Sequence, residues 1–128
     1  MDSIYNCERL YVPPGATSNH YTLIHLDCPV RNRKPIAFSQ KRNAAVGDSV
    51  FVIGNPFGLP TKYADDAKIR SLTQTGYVAN TDTFGGNSGS AIFDAQTLKA
   101  IGMLTSGESI LDISFIQEGL EFLGIVVD

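Results

Sequence analysis

Apolar residues in this chain come in short runs broken by Gly, Pro, Asn and Asp. YTLIHL at 21–26 crowds β-forming residues, and DSVFVIG at 48–54 is a continuous apolar strand that ends in the turn signal GNPFGLP. TGYVAN at 75–80 is another short β run. GSAIFDAQTLKAIGMLTSG at 89–107 reads as a hairpin, two apolar runs about a polar turn at Asp94 to Thr97. Several short strands separated by Gly and Pro turns predict an all-β chain, an antiparallel barrel or sandwich. The period changes only near the end. Ser114 with Gln117 makes a capping box, Ile116, Leu120 and Leu123 share one helical face, and Gly124 is placed to stop a short C-terminal helix. Gly119 inside that helix costs about 1 kcal/mol relative to Ala. No internal repeat is visible, and no linker splits the chain.

A length of 128 residues suits one ordinary domain with a real core. The net charge of −3 gives no field for phosphate backbones, and the ten Lys and Arg are scattered apart from Arg31, Arg33 and Lys34. Nucleic acid is therefore not an expected partner. VFVIG at 50–54, among the longest apolar runs, is far short of the ~20 residues that span a bilayer, so no membrane association is expected. MDSIYNCERL lacks the charged and apolar blocks of a secretory signal. Cys7 and Cys28 stand in no C-x-x-C spacing, which argues against zinc or redox work and for free, partly buried thiols. No metal or cofactor is expected.

The chemically suggestive stretch is TFGGNSGSAIFD at 83–94. An acyl-transfer nucleophile needs a hydroxyl on a turn where backbone N–H groups meet the oxygen that becomes negative, and glycines permit that close approach. GGNSGS supplies such a setting around Ser88, with the N–H groups of Gly86 and Ser88 as an oxyanion hole. The same residues would also suit a plain β-turn, because Gly, Asn and Ser dominate turns for conformational reasons.

Three segments in order add a resemblance. YVANTDTFGGNSGSAIFDAQTLKAIGML at 77–104 resembles the nucleophile region of trypsin-like serine peptidases, in particular the bacterial glutamyl-endopeptidase-like (V8-like) branch. VGDSVFVIGNPFGLPTKYADDAKI at 46–69 is similar to that branch's G-D-x-hydrophobic-G-x-P-x-G-L-P segment. NHYTLIHLDCPVRNRKPIAFS at 19–39 is similar to the strand that carries the family's catalytic aspartate. The resemblance implies that Ser88 is the nucleophile and that Gly86 and Ser88 are the oxyanion donors. The aspartate position falls on His20, and an imidazole there cannot hold and stabilise a catalytic imidazolium as a carboxylate does. The family's base lies in an A-A-H-C-like segment that residues 1–18 do not resemble. His25, on an apolar strand, is expected to be a satisfied, partly buried side chain.

Specificity cues point two ways. Asp82, six residues before Ser88, matches a pocket-floor acid that selects Arg or Lys, whereas Thr83 matches a threonine that helps bind acidic side chains in the glutamyl branch. IGMLTSG at 101–107 matches the strand that lines the pocket, so Thr105 and Gly107 are substrate-binding candidates; Leu104 stands about where that branch carries histidine. Asn87 replaces the aspartate that in trypsin pairs with a released N-terminus, and carries no charge for such a pair.

The resemblance also implies an architecture. The family folds as two antiparallel barrels flanking the active site. Residues 1–38 would be a remnant of the first, truncated at its front, and 39–128 the second, largely complete, with the C-terminal helix. Exposed sheet edges would then invite self-association or a complementing chain. The implied function is peptide-bond hydrolysis on a protein or peptide substrate, incomplete in this chain for want of the catalytic His and Asp. The alternative is a non-catalytic pseudopeptidase that binds proteins or peptides; a truncated product with no selected role is a third possibility. Family members are usually secreted.

Overall fold

The protein is described by a computed structural model over residues 4–12, 21–39 and 44–112. The expected helix at 114–124 and His20 lie outside the described residues. The described chain divides into two compact units, with the boundary between Pro35 and Ile36.

The first unit holds a two-stranded antiparallel sheet, β1 (Cys7–Tyr11) and β2 (Leu23–Leu26), in which Leu10 faces Ile24 and Tyr11 faces Leu23. Its end is tied by polar groups. Asn6 donates from its backbone N–H to Asp27 Oδ1 at 3.2 Å and from Nδ2 to Oδ2 at 2.9 Å, and the Arg31 N–H donates to the Tyr5 hydroxyl at 3.0 Å. The Asn6 donors hold the Asp27 carboxyl below its usual range, since they favour the ionised form. Cys7 and Cys28 are free, as expected, but exposed rather than partly buried. Partial desolvation and, after it, the neighbouring Asp27 carboxylate raise the Cys28 thiol. Cys28 is accordingly expected to react with iodoacetamide at neutral pH more slowly than Cys7, as peptide mapping after brief alkylation would show.

The second unit is a closed antiparallel barrel of six strands. Its members are β3 (Ser49–Gly54), β4 (Lys62–Leu72), β5 (Gly76–Ala79), β6 (Ala91–Asp94), β7 (Ala100–Ser106) and β8 (Ser109–Asp112). Around the barrel they run β3-β4-β5-β8-β7-β6, and β6 pairs back onto β3, so no edge is left open. Alternate residues point inward. Val50 and Val52 of β3, Ala67 and Ile69 of β4, Tyr77 and Ala79 of β5, Ile92 of β6, Ile101 and Leu104 of β7 and Ile110 of β8 form the core. The β6–β7 hairpin lies where the sequence puts it, and the Asp94 carboxylate closes its turn by accepting from the N–H groups of Gln96 and Thr97.

The longest strand, β4, is one the apolar pattern does not announce. Val50 faces Ala67 and Val52 faces Ala64, so three residues of β4 span the interval that two cover on β3. The extra residue is a β-bulge at Asp65–Asp66, with Asp66 at φ 59°. It shifts the phase of alternation and conceals the period of two. Ile92, fully buried at the barrel centre, is the natural test of this core. Ile92→Ala is expected to cost about 2–5 kcal/mol, measured as a lower urea midpoint.

Candidate active site

The loop between β5 and β6 is fastened to the barrel on both sides. The Gly89 N–H donates to the Leu104 carbonyl at 2.7 Å, and the Leu104 N–H returns to the Ser90 carbonyl at 2.9 Å. On the other side the Phe57 N–H donates to the Gly85 carbonyl at 2.8 Å. Within the loop, Asn87 N–H reaches the Phe84 carbonyl at 3.3 Å and Ser90 N–H the Asn87 carbonyl at 2.9 Å.

Two features need glycine. Gly86 sits at φ 95°, and a Cβ there would lie 2.8 Å from the Phe57 nitrogen. Gly54, at the end of β3, lets Asn87 and Ser90 close over it: an added Cβ would meet Ser90 Oγ and would stand 2.5 Å from Asn87 Oδ1. The sequence between these fixed points is thereby folded into successive tight turns, with Ser88 exposed. Among the described residues neither the Gly86 N–H, the Ser88 N–H nor the Ser88 hydroxyl has a hydrogen-bond partner. They are donors on a backbone pinned at Gly85, Gly89 and Ser90, unused within the described protein.

Asn87 is buried, and among the described residues its Oδ1 has no hydrogen-bond partner. A buried acceptor left in this way costs about 1–3 kcal/mol.

The specificity candidates separate. Thr83 Oγ donates to the Gly107 carbonyl at 3.2 Å and lies 3.2 Å from Thr81 Oγ1, so Thr81, Thr83 and Gly107 form one cluster beside the loop. Thr81, which the sequence reading passed over, is the buried member; its spacing of two from Thr83 was the available signal. Thr105 is tied elsewhere, its hydroxyl donating to the Ser109 carbonyl at 3.1 Å across the β7–β8 turn. Asp82 is exposed and makes no hydrogen bond or ion pair among the described residues.

His25 lies in the first unit, where its Nδ1 stands 2.8 Å from Glu8 Oε2, both side chains being about half exposed. It is satisfied, as expected, but by a hydrogen bond with a carboxylate at the surface. Among the described residues no cluster of His, Cys, Asp and Glu could hold a metal ion, and no helix there is long and apolar enough to cross a membrane.

A closed six-stranded barrel carrying a glycine-rich serine loop defines a chymotrypsin-like class of protein. A family model for the trypsin-like peptidase domain matches residues 7–103, and the chain belongs to that family. Its fold is shared with solved structures of low sequence similarity. The crystal structure of Deg5 superposes with a TM-score of 0.64 at 19% identity, over 76% of this chain and 51% of that one. Rv3671c from M. tuberculosis, solved as a serine-to-alanine mutant in an inactive form, gives 0.65 at 20% identity, over 83% of this chain and 59% of the other. The chain thus spans between half and three-fifths of those structures. No curated protein matches it.

Proposed function

We propose that the chain carries the nucleophile half of a serine endopeptidase site, with Ser88 as nucleophile and the Gly86 and Ser88 N–H groups as oxyanion hole. The observation that supports this most is the set of unused donors on a loop pinned by Phe57, Leu104 and the close approach at Gly54. In the reaction Ser88 Oγ would attack the carbonyl carbon of a peptide bond while its proton passes to a base. Negative charge would collect on the carbonyl oxygen, facing the two N–H groups. Collapse expels the amine, which takes up the proton, and water then releases the acid from the ester.

The base is the missing part. The sequence contains two histidines; His25 is engaged by Glu8, and His20 stands where the family carries an acid. Complete hydrolysis therefore calls for an imidazole supplied by His20 itself or brought by another segment or chain. The same two facts favour a second reading, a non-catalytic module that binds peptides at this loop. Assignment to the glutamyl branch and truncation of the first barrel rest on the sequence segments. Specificity for acidic residues would draw on Thr83, and the solvated Asp82 gives little support to a preference for basic ones.

Incubation with casein, with and without added imidazole to stand in for the base, separates the two readings. Fragments that appear with the wild type and vanish with Ser88→Ala support catalysis. If they vanish with His20→Ala as well, that histidine is the base. Intact casein that co-migrates with the wild type supports the binding module.

A further inference from the structure

The pinned loop carries an aromatic feature that hydrolysis itself does not require. Phe57 and Phe84 are 72% and 63% exposed, with ring centroids 6.0 Å apart and planes inclined at 33°. The other described phenylalanines, Phe38, Phe51 and Phe93, are buried or half-buried. Phe57 is also strained: it sits at φ 53°, a left-handed conformation that bulky residues rarely adopt. Its backbone N–H is the one that holds Gly85, and its ring would lie 3.4 Å from a Cβ placed on Gly85. A strained backbone therefore presents a large apolar ring to solvent, and its N–H is tied to the Gly85 carbonyl, one residue before one of the unused donors.

We propose that Phe57 and Phe84 form an apolar subsite that takes an aromatic or large aliphatic side chain of an extended peptide bound at the Ser88 loop. The inference rests on the reading of that loop as a peptide-binding site and deepens it by naming a substrate preference. A peptide backbone engaging the Gly86 and Ser88 N–H groups passes beside the rings, because Gly85 and Gly86 are the residues packed against Phe57. Alternate side chains of an extended strand project to opposite sides, so one of them meets this surface. Two inclined rings offer faces and edges suited to an aromatic guest. The backbones of both residues are tied, through the Phe57 N–H to the Gly85 carbonyl and through the Phe84 carbonyl to the Asn87 N–H, so less of the loop has to be ordered on binding.

The test is titration of the ¹⁵N-labelled full chain with acetylated, amidated Gly-Ser octapeptides that carry a single Phe, Leu, Ala or Glu at the fourth position. The expected result is movement of the Gly86 and Ser88 amide signals with every peptide that binds. Affinity for the Phe and Leu peptides should exceed that for Ala by about tenfold. Phe84→Ala, which alters an exposed side chain, should bring that preference to within about twofold, whereas Phe57→Leu should keep most of it. Loop amides that move without any apolar preference, or a preference that survives Phe84→Ala, overturn the subsite and leave the peptide-binding reading standing. Loop amides that move with no peptide overturn both. Signals of Phe57 and Phe84 that shift on concentrating the protein alone would mark a contact between copies, and would also overturn the subsite.

Discussion

Asn87→Asp is expected to leave the protein close to wild-type stability near pH 3 and to cost it about 3–5 kcal/mol at pH 7. The position is buried, and Asn87 Oδ1 finds no donor among the described residues. A carboxylate in its place would be a buried charge with no partner, so its folded-state pKa would rise above the unfolded value of about 3.9. Below that value both states are protonated and the variant loses little. As the pH rises further the unfolded chain ionises while the folded one resists, and stability falls by about 1.4 kcal/mol per pH unit until the folded pKa is passed. Urea midpoints between pH 3 and 7 measure this directly. A flat difference across that range would mean that a donor reaches the carboxylate, and that the loop has a partner at Asn87.

Gly86→Ala is the second large effect. The added Cβ faces the Phe57 nitrogen at 2.8 Å with backbone behind it, and the residue must keep φ 95°. Relief would come by rotating the peptide that carries the Gly86 N–H, which misaims one oxyanion donor. Loss of one such donor lowers acyl-transfer rates by about 10²–10³-fold. Ser88 labelling by an activated phosphonate is expected to slow by that factor. Gly89→Ala is the control, because Gly89 has a similar φ of 88° but open space where the Cβ would go. It carries the conformational strain alone, about 1–3 kcal/mol. If the two variants label Ser88 equally slowly, close approach to Phe57 is not what shapes the hole.

Much of the barrel was legible because its strands are short apolar runs ended by turn residues. The stretches around β3, β5, β6 and β7 could be read from VFVIG, GYVA, AIF and AIGML, with Asp94 marking the hairpin turn. β4 was not, because the bulge at Asp65–Asp66 shifts its inward positions and exposed Lys62, Asp65, Lys68 and Arg70 dominate its composition. β1 and β8 are only five and four residues long. In the site, the glycines around Ser88 announced a tight turn. What holds that turn is long-range and invisible in the motif: Phe57 on Gly85, Leu104 on Gly89 and Ser90, Gly54 beneath Asn87. Thr83, Thr105 and Gly107 are all substrate-binding candidates in the sequence, and only the fold shows that the Thr83 hydroxyl donates to the Gly107 carbonyl while the Thr105 hydroxyl donates to that of Ser109. His25 was read as part of a half-buried strand, but a two-stranded sheet leaves its outward face to solvent, where Glu8 meets it.

The central proposal is that Ser88 is a nucleophile with the Gly86 and Ser88 N–H groups as its oxyanion hole, and that it lacks a base. Chemical rescue tests it most directly: treatment with a fluorophosphonate, with and without added imidazole, followed by tandem mass spectrometry to locate the phosphorus. The expected result is modification at Ser88 that imidazole accelerates and that Ser88→Ala abolishes. Phosphorus spread over other hydroxyls, or an untouched Ser88 in saturating imidazole, would contradict it.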